Sequence, residues 1–351
     1  MTKNIVLIIL SILLLSCQKD KKIEQDFKEE HLQYAKNLKI KENEHSILIE
    51  SNGNSLVLNK KELPFKSIMV ETVAGISFLD ELNALQTIKG VVDANFIYNP
   101  KIREQIQSKS ILEIGNANEL YVELILKNKP QLIIASTNPV LAKYHQQLEE
   151  NGIKILYLDE YLENDPLARV EYLKVFGKIL NQNEFANQRF NSIQKKYDSI
   201  QTIIHSSKNT KTVLLNTMYG DVWYLPSKNQ LQAKVIEDAK GKYIFDDKVS
   251  ENALNLSFEE VYAKAKDAEI WFNTSFNSLD QMKAANQNYT WFTAFKNKNI
   301  YNSDKRSLPS GAQDYFEQGI LRPDIILNDL GKILHPELFP NYDLYFYRKL
   351  Q

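Results

Sequence analysis

The chain of 351 residues contains a single cysteine, Cys17. One thiol can close no disulfide within the chain and build no thiolate metal site, so an apolar core must hold the fold. Glycine is scarce, at 11 residues. No dinucleotide fingerprint, Gly-rich phosphate loop or Gly-x-Ser-x-Gly elbow is present, which leaves nucleotide chemistry and serine hydrolysis without their local geometry. The five histidines, His31, His45, His145, His205 and His335, form no i, i+4 pair and no His-Glu-x-x-His. Zinc hydrolysis therefore lacks its ligands. Neither sign of charge dominates, since 43 basic against 44 acidic side chains leave a net charge of -1. That balance gives no general electrostatic case for nucleic acid or a membrane surface. No catalytic residue, metal site or cofactor is expected.

Long apolar runs are missing too, with one exception at the start. Ile5 to Leu15 follows Lys3 and precedes Ser16-Cys17. Its length falls well short of the roughly 20 residues that span a bilayer, so residues 1–17 read as a signal peptide rather than an anchor helix. Leu14-Leu15-Ser16-Cys17 resembles a bacterial lipobox, which makes Cys17 the expected lipidation site and the periplasmic face of the cell envelope the expected location. Gln18-Lys19-Asp20 is similar to signals that direct some lipoproteins to the outer cell surface.

With 43% hydrophobic residues, a mature chain of this length can build two cores. Residues 18–44 are dense in charge and contain neither glycine nor proline; they read as a solvated or partly helical tether. Asn52-Gly53 between two apolar runs signals a hairpin. From Ser67, β-branched runs (67–72, 89–93, 131–136, 153–158) alternate with amphipathic stretches, and the alternation resumes at 212–216, 221–225, 268–273 and 299–302. Between the halves, Pro166 to Ser206 keeps a helical apolar spacing, with Asn181-Gln182-Asn183 as a candidate break. Unbroken, some 40 helical residues would extend roughly 60 Å. The expected fold class is therefore α/β, as two α/β lobes with mostly parallel sheets (45–164 and 207–351) joined by a long connecting helix (165–206). A faint repeat supports two similar halves, because Glu123 precedes Leu132 by the same interval as Glu259 precedes Ala268. His145 reads as solvent-facing and Trp291 as core.

Residues 65–340 resemble the substrate-binding lipoproteins of ABC importers for iron-siderophore complexes and cobalamin. The likeness rests on Tyr121-Val-Glu123 followed by a helix and Lys129-Pro-Gln-Leu-Ile-Ile-Ala135, on Ser257-Phe-Glu259 with its helix and strand, and on the closing segment from Asp314 to Phe339. This resemblance implies a ligand cleft between the lobes, an ABC permease dimer with its ATPase as partner, engaged by Glu123 and Glu259, and a metal chelate as ligand: an iron siderophore, with cobalamin or haem as alternatives. A monomer is expected. An interaction lipoprotein without a transport role is the alternative from another class. The scarcity of histidine disfavours receptors that coordinate bare metal.

Ligands of open α/β sheets sit beyond the carboxyl ends of the strands. The loops there offer Tyr219, Trp223, Tyr224 and Arg306, three aromatics and a guanidinium suited to a bulky planar or anionic chelate. These four are the expected ligand-binding residues.

Overall fold

The computed structural model describes residues 26–351. Cys17, the signal peptide and the first part of the expected tether lie outside the described residues. Among the described residues, no helix is long and apolar enough to cross a membrane.

The hairpin forms where expected. Asn52 and Gly53 both take positive φ, 48° and 84°, which matches the twist of the flanking strands Ser46–Ser51 and Asn54–Asn59. The tether expectation is corrected, because Lys28–Glu29 and Leu38–Glu42 extend this hairpin into a four-stranded antiparallel sheet. The signal was present in Leu38-Lys-Ile-Lys-Glu42: Leu38 and Ile40 are buried while Lys39 points outward, the period of a half-buried strand. Lysines on the outer face gave the run its solvated look.

Two buried carboxylates fix the segment between those strands. Glu171 accepts from the backbone N–H groups of Gln33, Tyr34 and Ala35 at 2.8–3.0 Å, and Glu163 from those of Lys36 and Asn37. Because Glu171 is fully buried, Glu171→Ala would strand three donors. The expected loss is on the order of 3 kcal/mol, with amide exchange accelerating first at residues 33–37; uniform exchange across the lobe would count against this clamp.

Each lobe then carries a parallel sheet of the same design. In the N-terminal lobe the order is Ile155–Tyr157, Leu132–Ala135, Ile68–Val70, Ile88–Val91 and Leu112–Glu113. In the C-terminal lobe Ile300–Asn302, Ile270–Phe272, Thr212–Leu215 and Lys242–Tyr243 repeat the first four positions, and Arg348–Lys349 adds an antiparallel edge. With Leu112–Glu113 and the antiparallel edge set aside, the four remaining strands of each lobe, counted along the chain, lie in the order fourth, third, first, second. The faint interval shared by Glu123 and Glu259 is the trace of this repeat: helices Val122–Asn128 and Phe258–Ala265 each feed the third strand of the order, and both glutamates occupy the second helical position, exposed.

The connection between lobes is shorter than the apolar spacing suggested. Pro166–Glu171 and Leu173–Ile179 belong to the N-terminal lobe, contributing Val170, Leu173, Phe176 and Ile179 to its core. Asn181, at φ 55°, turns the chain. Gly177 lets the next helix come close, since a Cβ there would stand 2.6 Å from that of Ala186. Asn183–His205 is the helix that carries the chain from one lobe to the other; its Phe190 and Ile193 enter the first core and its Tyr197 and Ile204 the second. Its 23 residues span roughly 35 Å. The periodicity ran on through the break because both helices present apolar faces to one core.

Candidate functional site

The carboxyl ends of two C-terminal-lobe strands face the segment that follows the last N-terminal-lobe strand, and together they enclose a cavity of about 530 Å³. In the C-terminal lobe, Asn216 follows Thr212–Leu215 and Asn273 follows Ile270–Phe272, and both adopt left-handed backbone, φ 57° and 60°. Asparagine tolerates that region better than other non-glycine residues, and such positions concentrate at functional sites. The turn brings both asparagines to the cavity wall. Asn273 Oδ1 is buried and has no hydrogen-bond partner among the described residues, an orphan that calls for an explanation.

The opposite wall comes from the N-terminal lobe. Asp165 caps Pro166–Glu171 by accepting from Leu167 and Ala168, and this short helix presents Arg169 to the cavity. Arg169 donates from Nη2 to the Tyr161 carbonyl at 2.5 Å and from Nε to the Glu163 carbonyl at 3.4 Å. Both hydrogen-bond partners are neutral carbonyls, and the Glu160 and Glu163 carboxyls act on the guanidinium through charge alone. Glu160 lines the same wall and is buried. Burial pushes its carboxyl up to about 7, while Arg169 pulls it down and Asp159 pushes it further up. The half-exposed rings of Tyr161, Tyr224 and Phe316 rim the opening.

Of the four expected ligand residues, Tyr224 lines this cavity. Tyr219 is 83% exposed at the tip of the ribbon formed by Met218–Tyr219 and Val222–Leu225, away from the cavity residues. Trp223 is corrected outright: it is 0% exposed, donates Nε1 to the Leu215 carbonyl at 3.1 Å and stacks on Trp271 at 5.6 Å. Alternation along the strand turned Tyr224 toward the cavity and Trp223 into the core. Arg306 is also spent elsewhere, its Nε on Asp314 at 2.6 Å and its guanidinium between the rings of Tyr98 and Tyr345.

Two further expectations reverse. Trp291 is half-exposed, resting edge-on against Tyr262 and Phe258. His145 is buried, with Nε2 3.0 Å from both carboxylate oxygens of the equally buried Glu71. Its helix buries the histidine because the strand end beneath it supplies an acid.

Arg169, Glu160, Asn216 and Asn273 escaped the sequence reading. Arg169 was absorbed into the connecting helix. The asparagines stood in view as the last letters of two strand runs, where the strand-end rule pointed only to the residues after them.

The closing segment is a brace between lobes. Glu317, buried, accepts from the backbone N–H groups of Tyr98 and Asn99 at 2.7 and 2.9 Å, at the start of helix Pro100–Gln107 in the other lobe. Arg322 makes two bonds of 2.9 Å to Asp324. Asp329 receives four donors from the C-terminal stretch: Tyr342 Oη and the backbone N–H groups of Tyr345, Phe346 and Tyr347. Tyr315 and Phe316, within the brace, face the cavity.

Comparison with known proteins agrees with this architecture. A family model described as periplasmic binding protein matches residues 78–307, well over half of the chain. Two uncharacterized lipoproteins of Methanocaldococcus jannaschii are each 25% identical, over 334 and 321 residues; the alignments cover 87% of this chain in both cases and 78% and 80% of the relatives. Among solved structures, a possible iron-binding solute-binding protein of Staphylococcus epidermidis superposes with a TM-score of 0.61 at 18% identity, over 77% of this chain and 98% of that one. The periplasmic haem binding protein of Vibrio cholerae gives 0.58 at 17% (75% and 97% covered), and the vitamin B12 binding protein of the same organism 0.57 at 15% (80% and 99% covered). Two lobes of one repeated topology, a cavity lined from both of them and this match carry one conclusion: the chain belongs to the periplasmic binding protein family.

Proposed function

We propose that this protein is the solute-binding lipoprotein of an ABC importer, taking an iron-siderophore-type chelate into the interlobe cavity and delivering it to a membrane permease. The observation that carries this reading is the cavity itself: an Arg169 guanidinium hydrogen-bonded to two neutral carbonyls behind a rim of three aromatic rings. Such a wall suits an anionic, partly planar solute, which stacks on the rings and bonds the cation. A chelate brings its metal fully coordinated, so the protein need supply only this outer recognition. Haem or cobalamin is the second reading, favoured by the same rings and by the neighbours named for those ligands.

Glu123 and Glu259 are the proposed docking pair. They are exposed, occupy equivalent helical positions and stand on opposite lobes, an arrangement that fits two equivalent basic sites on a permease dimer. Paired rim charges of this kind set register and association rate. Cys17 carries the proposed lipid, holding the receptor at the periplasmic face beside its permease.

Trp271 supplies the readout for the ligand, because its Nε1 donates to the Asn216 carbonyl at 2.6 Å, directly behind the cavity wall. Titration of the soluble chain from residue 18 onward with ferric siderophores, haemin and cobalamin should quench its fluorescence. No quenching by any of the three would sink the chelate reading. The Glu123→Ala, Glu259→Ala double variant should keep that quenching unchanged while solute uptake in cells falls at least about tenfold, a loss of about 1.4 kcal/mol in productive docking. Weakened ligand binding in the variant would refute the docking role.

A further inference from the structure

Glu160 has no assigned task in the ligand cavity, yet its setting is specific. Its buried carboxyl lines the cavity wall that also presents Arg169, and among the described residues the bond directed at it comes from its own backbone N–H. Of the neighbouring acids, Asp159 is held by Thr137 and Asn52, and Glu163 by the backbone of Lys36 and Asn37 and the Tyr172 hydroxyl. Across the cavity stand the phenols of Tyr315 and Tyr347. Glu160 is therefore the acid of this wall left to answer the ligand.

Resting on the solute-binding reading above, we propose that the cavity takes an oxyanion together with a proton, the anion seating on Arg169 while Glu160, in its neutral form, donates its O–H to the same group. An ionised Glu160 would instead face the ligand with a like charge in a desolvated wall and would offset the guanidinium. Neutral Glu160 removes that conflict and adds a donor. Burial holds its carboxyl near neutrality, so above pH 7 each anion bound draws a proton from solvent onto Glu160. Affinity must then fall with rising pH, by about 30-fold between pH 6 and 8.5 for a group that titrates near 7.

The test uses benzoate, which stays ionised across that range, and benzamide as its uncharged match. Both are titrated into the soluble chain while the Trp271 indole N–H signal is followed by NMR. Expected are a shift with benzoate and none with benzamide, a fall in benzoate affinity of about 30-fold from pH 6 to 8.5, a slope below twofold in Glu160→Gln, loss of binding in Arg169→Gln and retention in Arg169→Lys. Retention in Arg169→Lys also excludes misfolding as the cause of the loss. Binding that ignores pH, or an unchanged slope in Glu160→Gln, overturns the proton coupling and leaves the solute-binding reading standing. Equal response to benzamide, or no response to benzoate while a chelate still quenches fluorescence, overturns the oxyanion site alone. Silence toward both probes and every chelate brings down both readings.

Discussion

Asp329→Ala is expected to release the C-terminal stretch and unfold most of the C-terminal lobe. The carboxylate is fully buried and receives one hydroxyl and three consecutive backbone donors. Burial raises the pKa of its carboxyl above the usual range, and the four donors pull against that rise. Removing the acceptor leaves the donors of Tyr345, Phe346 and Tyr347 in a dry interior, each costing about 1–3 kcal/mol. A total on the order of 5 kcal/mol is comparable with the whole stability of many domains. Phe346 and Tyr347, both core residues of that lobe, would lose their seat with it. Urea unfolding followed by circular dichroism should show the loss, whereas Tyr342→Phe, which deletes one donor, should cost only about 1 kcal/mol. Equal effects of the two substitutions would mean that apolar packing alone holds the stretch.

The second large effect is a dependence on pH carried by two buried acids. Burial pushes both Glu160 and Glu317 up to about 7 from an ordinary 4.5. Between those values the folded chain keeps protons that the unfolded chain has released, so the stability these groups contribute is fully present below pH 4.5 and is lost as pH rises through 7. Each shift corresponds to about 3 kcal/mol. Glu42 and Glu171, whose pKa values are lowered, and His335, held neutral by burial, act in the opposite sense and weaken the protein on the acid side. Comparison with variants isolates the two acids. Glu160→Gln should match the parent near pH 5 and exceed its stability at pH 8.5 by up to about 3 kcal/mol, while Glu317→Gln, which strands one of two backbone donors, should start below the parent and gain on it by up to about 3 kcal/mol over the same range. The glutamine amide oxygen at 317 can still accept from the Tyr98 or Asn99 N–H. A variant advantage that stays constant or shrinks with pH would contradict the assignment.

Much of the architecture was legible because period-two and helical spacings are enforced by burial, which the sequence records directly. The parallel strands, the hairpin at Asn52-Gly53 and the equivalence of Glu123 and Glu259 all follow from such local patterns. What failed were features decided by a partner distant in sequence. Glu171 meets Gln33 across more than a hundred residues, so a charged stretch that folds onto it looks like a free tether. His145 has a polar side chain and an apolar burial site, reconciled only by Glu71. The candidate site suffered most. Strand alternation decides whether Trp223 or Tyr224 faces the cavity, and a one-residue difference reverses the answer. Arg306 had the right chemistry and a prior engagement with Asp314. Arg169 became visible only once its helix was separated from the one that bridges the lobes.

The place of Lys28 in a strand bears on how far the body can stand from a lipid on Cys17. From Cys17 to Lys28 there are about 11 residues, whose fully extended reach is no more than about 40 Å. If the lipid sits on Cys17, the body is leashed within roughly that distance of the bilayer. A leash of that length maintains a high local concentration next to a permease in the same leaflet, yet it leaves little slack for the receptor to turn over. Which face it presents to its partner is then governed by where the leash joins the body, and just past that junction residues 33–37 are clamped through Glu163 and Glu171 beside the helix that also presents Arg169 to the cavity.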